Sequence, residues 1–263
     1  MLEYLFPGGK HHVFTASFDD GKDADRRLVE IFNRYSIKAT FNLASGWLNR
    51  DGFVTSDEVS SLYKGHEISS HTVHHPDLTD LSTADMIKEI VDDVYNLEKL
   101  CGYPVRGFAL PGGDRNPLVD SVVKMCCMSY SRTGHMSGSY AMPGDFGRWN
   151  PGCHQSEAMP MVDAFVEAQK YPNRHKMLYI MGHSYEFPRD NSWDYIEEIC
   201  KKVSFFEDTW YATNIEIYDY YMAQRSLQTT SDNRYIHNPT FTDVWVKVDG
   251  EIIEIKAGQT VIL

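Results

Sequence analysis

Two short segments bring together the residue types that metal-assisted hydrolysis needs. They are Ser17-Phe18-Asp19-Asp20-Gly21 and His71-Thr72-Val73-His74-His75-Pro76. The first offers adjacent carboxylates, and the second places imidazoles at i and i+4, close enough to share an ion if the segment turns like a helix. One Asp/His/His site for a single divalent ion can be built from this set, with a carboxylate left over as a base. Such a site keeps coordination positions open for water and substrate, as a catalytic metal requires. Ring nitrogens with one carboxylate suit Zn²⁺ best; Co²⁺, Ni²⁺, Mn²⁺ and Fe²⁺ also occupy such sites.

These segments must be held by a scaffold, and apolar periodicity predicts one. Val13–Phe18, Lys38–Leu43, His66–Ser70, Arg106–Leu110, Met128–Arg132, Met177–His183 and Trp210–Thr213 read as strands. Between them Leu28, Ile31, Phe32 and Tyr35 form one helical stripe, and Ser82 opens a helix through Leu97 that Gly102 ends. Further helices are predicted over residues 116–127, 159–170, 193–203 and 215–227. Repeated β-then-α units imply a parallel sheet, and this many favour a closed or nearly closed barrel over an open doubly wound sheet. Asp19-Asp20, His71, Pro111 and His183 all fall at or just past predicted strand C-termini, the end where barrel active sites form. Beyond residue 227 the pattern changes. Val244, Val246 and Val248 alternate with polar residues, and Asp249-Gly250 predicts a hairpin turn. The expected division is a barrel over 1–227 and a β-hairpin appendage over 228–263.

Composition narrows the function. The 263 residues are 42% hydrophobic and carry a formal charge of −12, which argues against a nucleic-acid surface. No stretch reaches the roughly eighteen apolar residues of a membrane span, and the N-terminal residues lack a basic segment leading into an apolar one. A cytoplasmic location is the expectation. The five cysteines (101, 126, 127, 153 and 200) show no C-x-x-C spacing, so neither a disulfide framework nor a Cys₄ site is predicted.

The two segments resemble the first two motifs of the polysaccharide deacetylase (nodulation-type chitooligosaccharide deacetylase) homology domain, carbohydrate esterase family four. Those motifs read [ST]-F-D-D-G and H-[ST]-x-x-H-P, and both are matched in full. The resemblance implies a distorted (β/α)₇ barrel that removes N- or O-acetyl groups from an acetylated sugar or oligosaccharide. It assigns Asp19 as general base, Asp20, His71 and His75 as ligands of one divalent ion, and His74 as a bystander. The final family motif, an apolar strand ending in His, matches Met177–His183 and implies that His183 is the general acid. Tyr185 follows it and is expected to line the pocket.

Two motifs depart from the pattern. The third, usually R-x-P-[YF]-G, reads Ala109-Leu110-Pro111-Gly112-Gly113, so the arginine that holds the base is absent. Pro111 and Gly112 remain candidates for substrate contact, with the Gly112 N–H as an oxyanion donor. The fourth, usually D-x-x-D-W, reads Asp145-Phe146-Gly147-Arg148-Trp149, with Arg148 where the second Asp belongs. Arg148 is the candidate replacement for the missing arginine, and Trp149 is a candidate apolar wall for a sugar. His154 is a candidate for substrate contact, and Glu186 or Asp145 for orienting His183. Two other readings share these residues: hydrolysis of a small cyclic amide or other nitrogenous metabolite, and a catalytically impaired, metal-containing sugar-binding protein.

Overall fold

The computed structural model describes residues 2–171, 175–232 and 234–263. Its strands are β1 Leu2–Leu5, β2 His12–Asp20, β3 Thr40–Leu43, β4 Glu67–Ser70, β5 Gly107–Ala109, β6 Tyr130–Arg132, β7 Cys153–His154, β8 Lys176–His183, β9 Thr209–Tyr211, β10 Gln228–Thr229, β11 Tyr235–His237, β12 Val244–Val248, β13 Glu251–Ile255 and β14 Thr260–Ile262. The helices are α1 Asp25–Arg34, α2 Val59–Leu62, α3 Thr83–Cys101, α4 Pro117–Met125, α5 Met159–Ala168, α6 Glu186–Arg189, α7 Trp193–Val203 and α8 Asn214–Arg225.

The parallel strands form a distorted (β/α)₇ barrel, in the order β6-β5-β4-β3-β2-β8-β7. Every residue of β2 is buried, as expected of a strand covered on both faces. β8 runs along one edge of β2, while β9 and β3 share the other, pairing with its first three and last four residues respectively. The segment 149–152 closes the ring. Trp149 N–H donates to Ser131 O of β6 (2.9 Å) and Gly152 N–H to Tyr179 O of β8 (2.9 Å). The seven expected strands are all present; β7, two residues long, is too short to leave a periodic signal. Ser82 caps α3 by accepting from the Asp85 N–H, and Gly102 ends it in the left-handed conformation that glycine adopts without penalty.

The tail departs from the expected division in one respect. β12 and β13 form the predicted hairpin across Asp249-Gly250, both at positive φ. β12 also pairs antiparallel with β1, so Leu2–Leu5, assigned to the barrel by sequence, completes the appendage sheet. A second small sheet, β10-β11-β14, lies beside it. The appendage buries Val244, Val246, Ile255 and Ile236 together with Ala223 of α8.

Candidate active site

β2 and β4 end side by side with β3 between them, so the Asp-Asp and His-x-x-x-His segments meet at one barrel mouth. Asp20 Oδ1 lies 3.8 Å from His71 Nε2 and 3.7 Å from His75 Nε2. Asp20 Oδ1 is buried and without a hydrogen-bond partner. His71 donates from Nδ1 to Ala109 O (2.8 Å), which leaves the Nε2 lone pair facing Asp20. Burial holds the His71 imidazole neutral, its pKa lowered to about 4 against the pull of Asp19, and a neutral ring is what a cation requires. His75 stacks on Trp47, with ring centroids 4.9 Å apart. A tetrahedral ion with bonds of roughly 2.0–2.1 Å needs its ligand atoms about 3.4 Å apart; both Asp20–His separations are close to that, and all three atoms lie within 4.8 Å of one another. Asp20 (φ 85°), Thr72 (φ 65°) and His75 (φ 57°) are all non-glycine residues in the left-handed region. Backbone strain of this kind concentrates at functional sites.

The partner of Asp19 comes from an unexpected strand. Arg132, at the C-terminal end of β6, donates from Nη2 to both carboxylate oxygens, and Asn42 Nδ2 donates to Oδ1 at 2.7 Å. Ala109, where the family motif would have arginine, is the register partner of Arg132 on the adjacent strand. The guanidinium is therefore supplied at the same level of the barrel, one strand over. Burial opposes ionisation of Asp19, but Arg132, His71, His183 and Asn42 overcome it and hold the carboxyl well below the usual carboxylate range. Asp19 Oδ2 faces His71 Nε2 at 3.9 Å and His183 Nε2 at 3.8 Å. Asp19, His71, His75, Gly112, Arg132 and His183 all line one pocket of about 250 Å³.

Residues 8–131 match the family model of polysaccharide deacetylases. Over these residues the chain is similar to polysaccharide deacetylases. It is 29% identical over 115 residues to a Bacillus subtilis peptidoglycan-N-acetylmuramic acid deacetylase, covering 43% of this chain and 24% of that protein. It is 32% identical over 93 residues to a Colletotrichum lindemuthianum chitin deacetylase, covering 34% of this chain and 36% of that one. The chain thus spans only about a third or less of these relatives. A Mycobacterium smegmatis protein provisionally described as a polysaccharide deacetylase has the same fold, with a TM-score of 0.63 at 16% identity over 85% of this chain and 94% of that one.

The structure gathers most of the sequence-derived residues and scatters two. Asp19, Asp20, His71, His75, Gly112 and His183 converge, and Pro111 sits in the same wall between Leu110 and Gly112. Gly113 is required there, because a Cβ would stand 2.9 Å from Gly134 Cα, so two backbones touch in the pocket wall. Tyr185 packs against the His183 ring at 5.3 Å. Arg148, however, is exposed and donates to Asp120 Oδ2 at 2.7 Å; it does not reach Asp19. Its segment, Phe146–Arg148, is a short turn capped by Asp145, which points the side chain outwards. Trp149 is not a pocket wall. It is fully buried among Tyr130, Phe146 and Tyr179, because its backbone closes the barrel. Glu186, not Asp145, approaches His183: Oε1 lies 3.3 Å from Nδ1, while Gln155 Nε2 donates to Oε2 at 2.8 Å. His74 stays outside, paired with Glu89.

The sequence reading missed Arg132, Asn42 and Asp93. A signal existed for the first: a lone arginine closes the strand Tyr130-Ser131-Arg132 at the catalytic end of the barrel. Asp93, on α3, accepts from Ser45 N–H (2.8 Å), Ser70 hydroxyl (2.6 Å) and His71 N–H (3.1 Å). It ties the loop after β3 to the histidine segment.

Proposed function

We propose that this chain is a divalent-metal-dependent hydrolase that removes acetyl groups from an acetylated carbohydrate. The observation that carries the reading is the convergence of Asp20, His71 and His75, with Asp19, His183 and both histidines of that trio lining one pocket. Asp20, His71 and His75 are the residues that would hold the ion, with Zn²⁺ favoured by the donor set. When bound, the ion supplies Lewis acidity, polarising a carbonyl and acidifying a water.

The chain's own residues then manage the protons. Asp19 takes the proton of the attacking water at Oδ2, which faces His71 and His183 and shares the Arg132 guanidinium with Oδ1, while Asn42 donates to Oδ1. The Gly112 N–H is the proposed donor to the developing oxyanion. His183 delivers a proton from Nε2 to the departing amine or alkoxide, with Glu186 Oε1 3.3 Å from Nδ1 on the far side of the ring. Acetylated amino sugars are the favoured substrates, as the relatives are named for chitin and peptidoglycan sugars. All five cysteines are free, which suits a reducing compartment. Among the described residues, no helix is long and apolar enough to cross a membrane.

The test is acetate release from N-acetylglucosamine oligomers and acetylated xylan, after chelation and after adding back Zn²⁺ or Co²⁺. Release that is lost on chelation and restored by metal is expected. Silence on every substrate with metal restored would overturn the reading and favour the cyclic-amide or impaired-binder alternatives.

A further inference from the structure

Opposite the Asp20 trio stands a second set of ligand-type atoms. His154, His183 and Glu186 each offer one donor atom, all within 4.8 Å of one another. Glu186 lies between the rings, with Oε1 at 3.3 Å from His183 Nδ1 and Oε2 at 3.5 Å from His154 Nε2. His183 Nδ1 is buried and makes no hydrogen bond, since its approach to Glu186 is close without being aligned. His154 Nδ1 accepts from the Ser156 N–H at 3.3 Å and lies 2.8 Å from Ser156 Oγ, so a cation taken at Nε2 shifts the ring proton to Nδ1, where Ser156 Oγ can accept it. Gln155 fixes the carboxylate by donating to Oε2. His154 and His183 also line the catalytic pocket, so an ion reaches this set through the same opening.

We propose that His154, His183 and Glu186 form a second, weaker divalent-cation site that switches the enzyme off when the metal is in excess. Two imidazoles and a carboxylate make a borderline-soft set suited to Zn²⁺. The cation takes the lone pair of His183 Nδ1, and the proton that would have occupied it goes to solvent. His183 then keeps only its Nε2 proton on a neutral ring, a far weaker acid than imidazolium, so delivery to the leaving group fails. The inhibitory consequence rests on the deacetylase reading; the binding does not.

Equilibrium dialysis of the whole chain against rising Zn²⁺, with metal analysis, tests the site directly. Wild type is expected to take up two equivalents. D20N should lose the tighter and keep the weaker. H154N should keep the tighter and bind the weaker at least roughly tenfold less well, the least expected from losing a ligand when an outer partner alone costs about 10–100-fold. E186Q should do the same, and retention of the tighter equivalent shows that each variant is folded. In wild type, acetate release should rise with the first equivalent and fall with the second. A single equivalent in wild type, or a second that survives unweakened in both H154N and E186Q, overturns the proposal. Two equivalents with no acetate release at any metal level would sustain the site while failing the deacetylase reading.

Discussion

Asp19 is a fully buried carboxylate whose charge depends on one guanidinium. Remove Arg132 and the largest influence opposing burial is lost, so the Asp19 pKa rises. R132A is therefore expected to lose roughly 10²-fold or more in kcat/KM, the scale of a disabled proton-transfer group, and to move the acid limb of its pH profile upwards. R148A, which breaks only an exposed pair with Asp120, should stay within about twofold of wild type. Steady-state rates from pH 5 to 9 decide both, and equal losses in the two variants would contradict the assignment. On the acid side, H183A should cost about 10²–10⁴-fold in kcat. E186Q should cost less than H183A and leave KM nearly unchanged, because the facing carboxylate positions the ring without itself delivering the proton. A loss in E186Q as large as that in H183A would contradict this positioning role.

At the level of elements, the site is a product of register. Strand-end residues from β2, β4, β6 and β8 share a rim because their strands run parallel and pair residue by residue, as Ala109 with Arg132 and Asp19 with His183. Loops carry the histidines, and Asp93 of α3 pins those loops from behind. Its carboxyl is pushed up to about 6 by burial, against the pull of its hydrogen bonds. D93A would leave three donors without their acceptor, each worth about 1–3 kcal/mol if it stays buried and unpaired. The expected loss is about 3 kcal/mol by urea unfolding, with metal affinity weakened about 10–100-fold. A variant as stable as wild type with unchanged affinity would mean that the histidine loop holds its shape alone.

Across the whole molecule, the barrel interior below the site is polar, with Glu67 as a hub of hydrogen bonds. Glu67 accepts from Tyr130 hydroxyl (2.8 Å), Thr40 hydroxyl (2.8 Å) and Ile215 N–H (2.9 Å), linking β3, β4, β6 and α8. Burial nevertheless pushes its carboxyl up to about 7 from an ordinary 4.5. A folded-state pKa above the unfolded one means that the folded chain holds the proton more tightly. This contribution is complete below about pH 4.5 and fades as pH rises to about 7; it amounts to a few kcal/mol at most. Asp25, also raised to about 7 by burial, acts in the same direction. His66 and His71, lowered to about 4 by burial, act the opposite way up to about pH 6.5, so the test is a difference: relative to wild type, E67Q, neutral throughout, should gain Tm as pH rises from 5 to 8. An identical slope in calorimetry would mean that Glu67 ionises freely in the fold.

The sequence alone determined the chemistry that neighbours can share. Asp19-Asp20 and His71-x-x-x-His75 are short segments whose internal spacing survives any packing, and the β-then-α rhythm placed them at one end of a barrel. It could not say which guanidinium meets Asp19, because that depends on pairing between β5 and β6, strands about twenty residues apart with no local mark of register. Nor could it tell that Trp149 is buried and Arg148 outward, since adjacent residues in a closing segment point in opposite directions. Only tertiary structure chose which of them faced the core, and so moved the arginine of the site from the fourth motif to the end of β6.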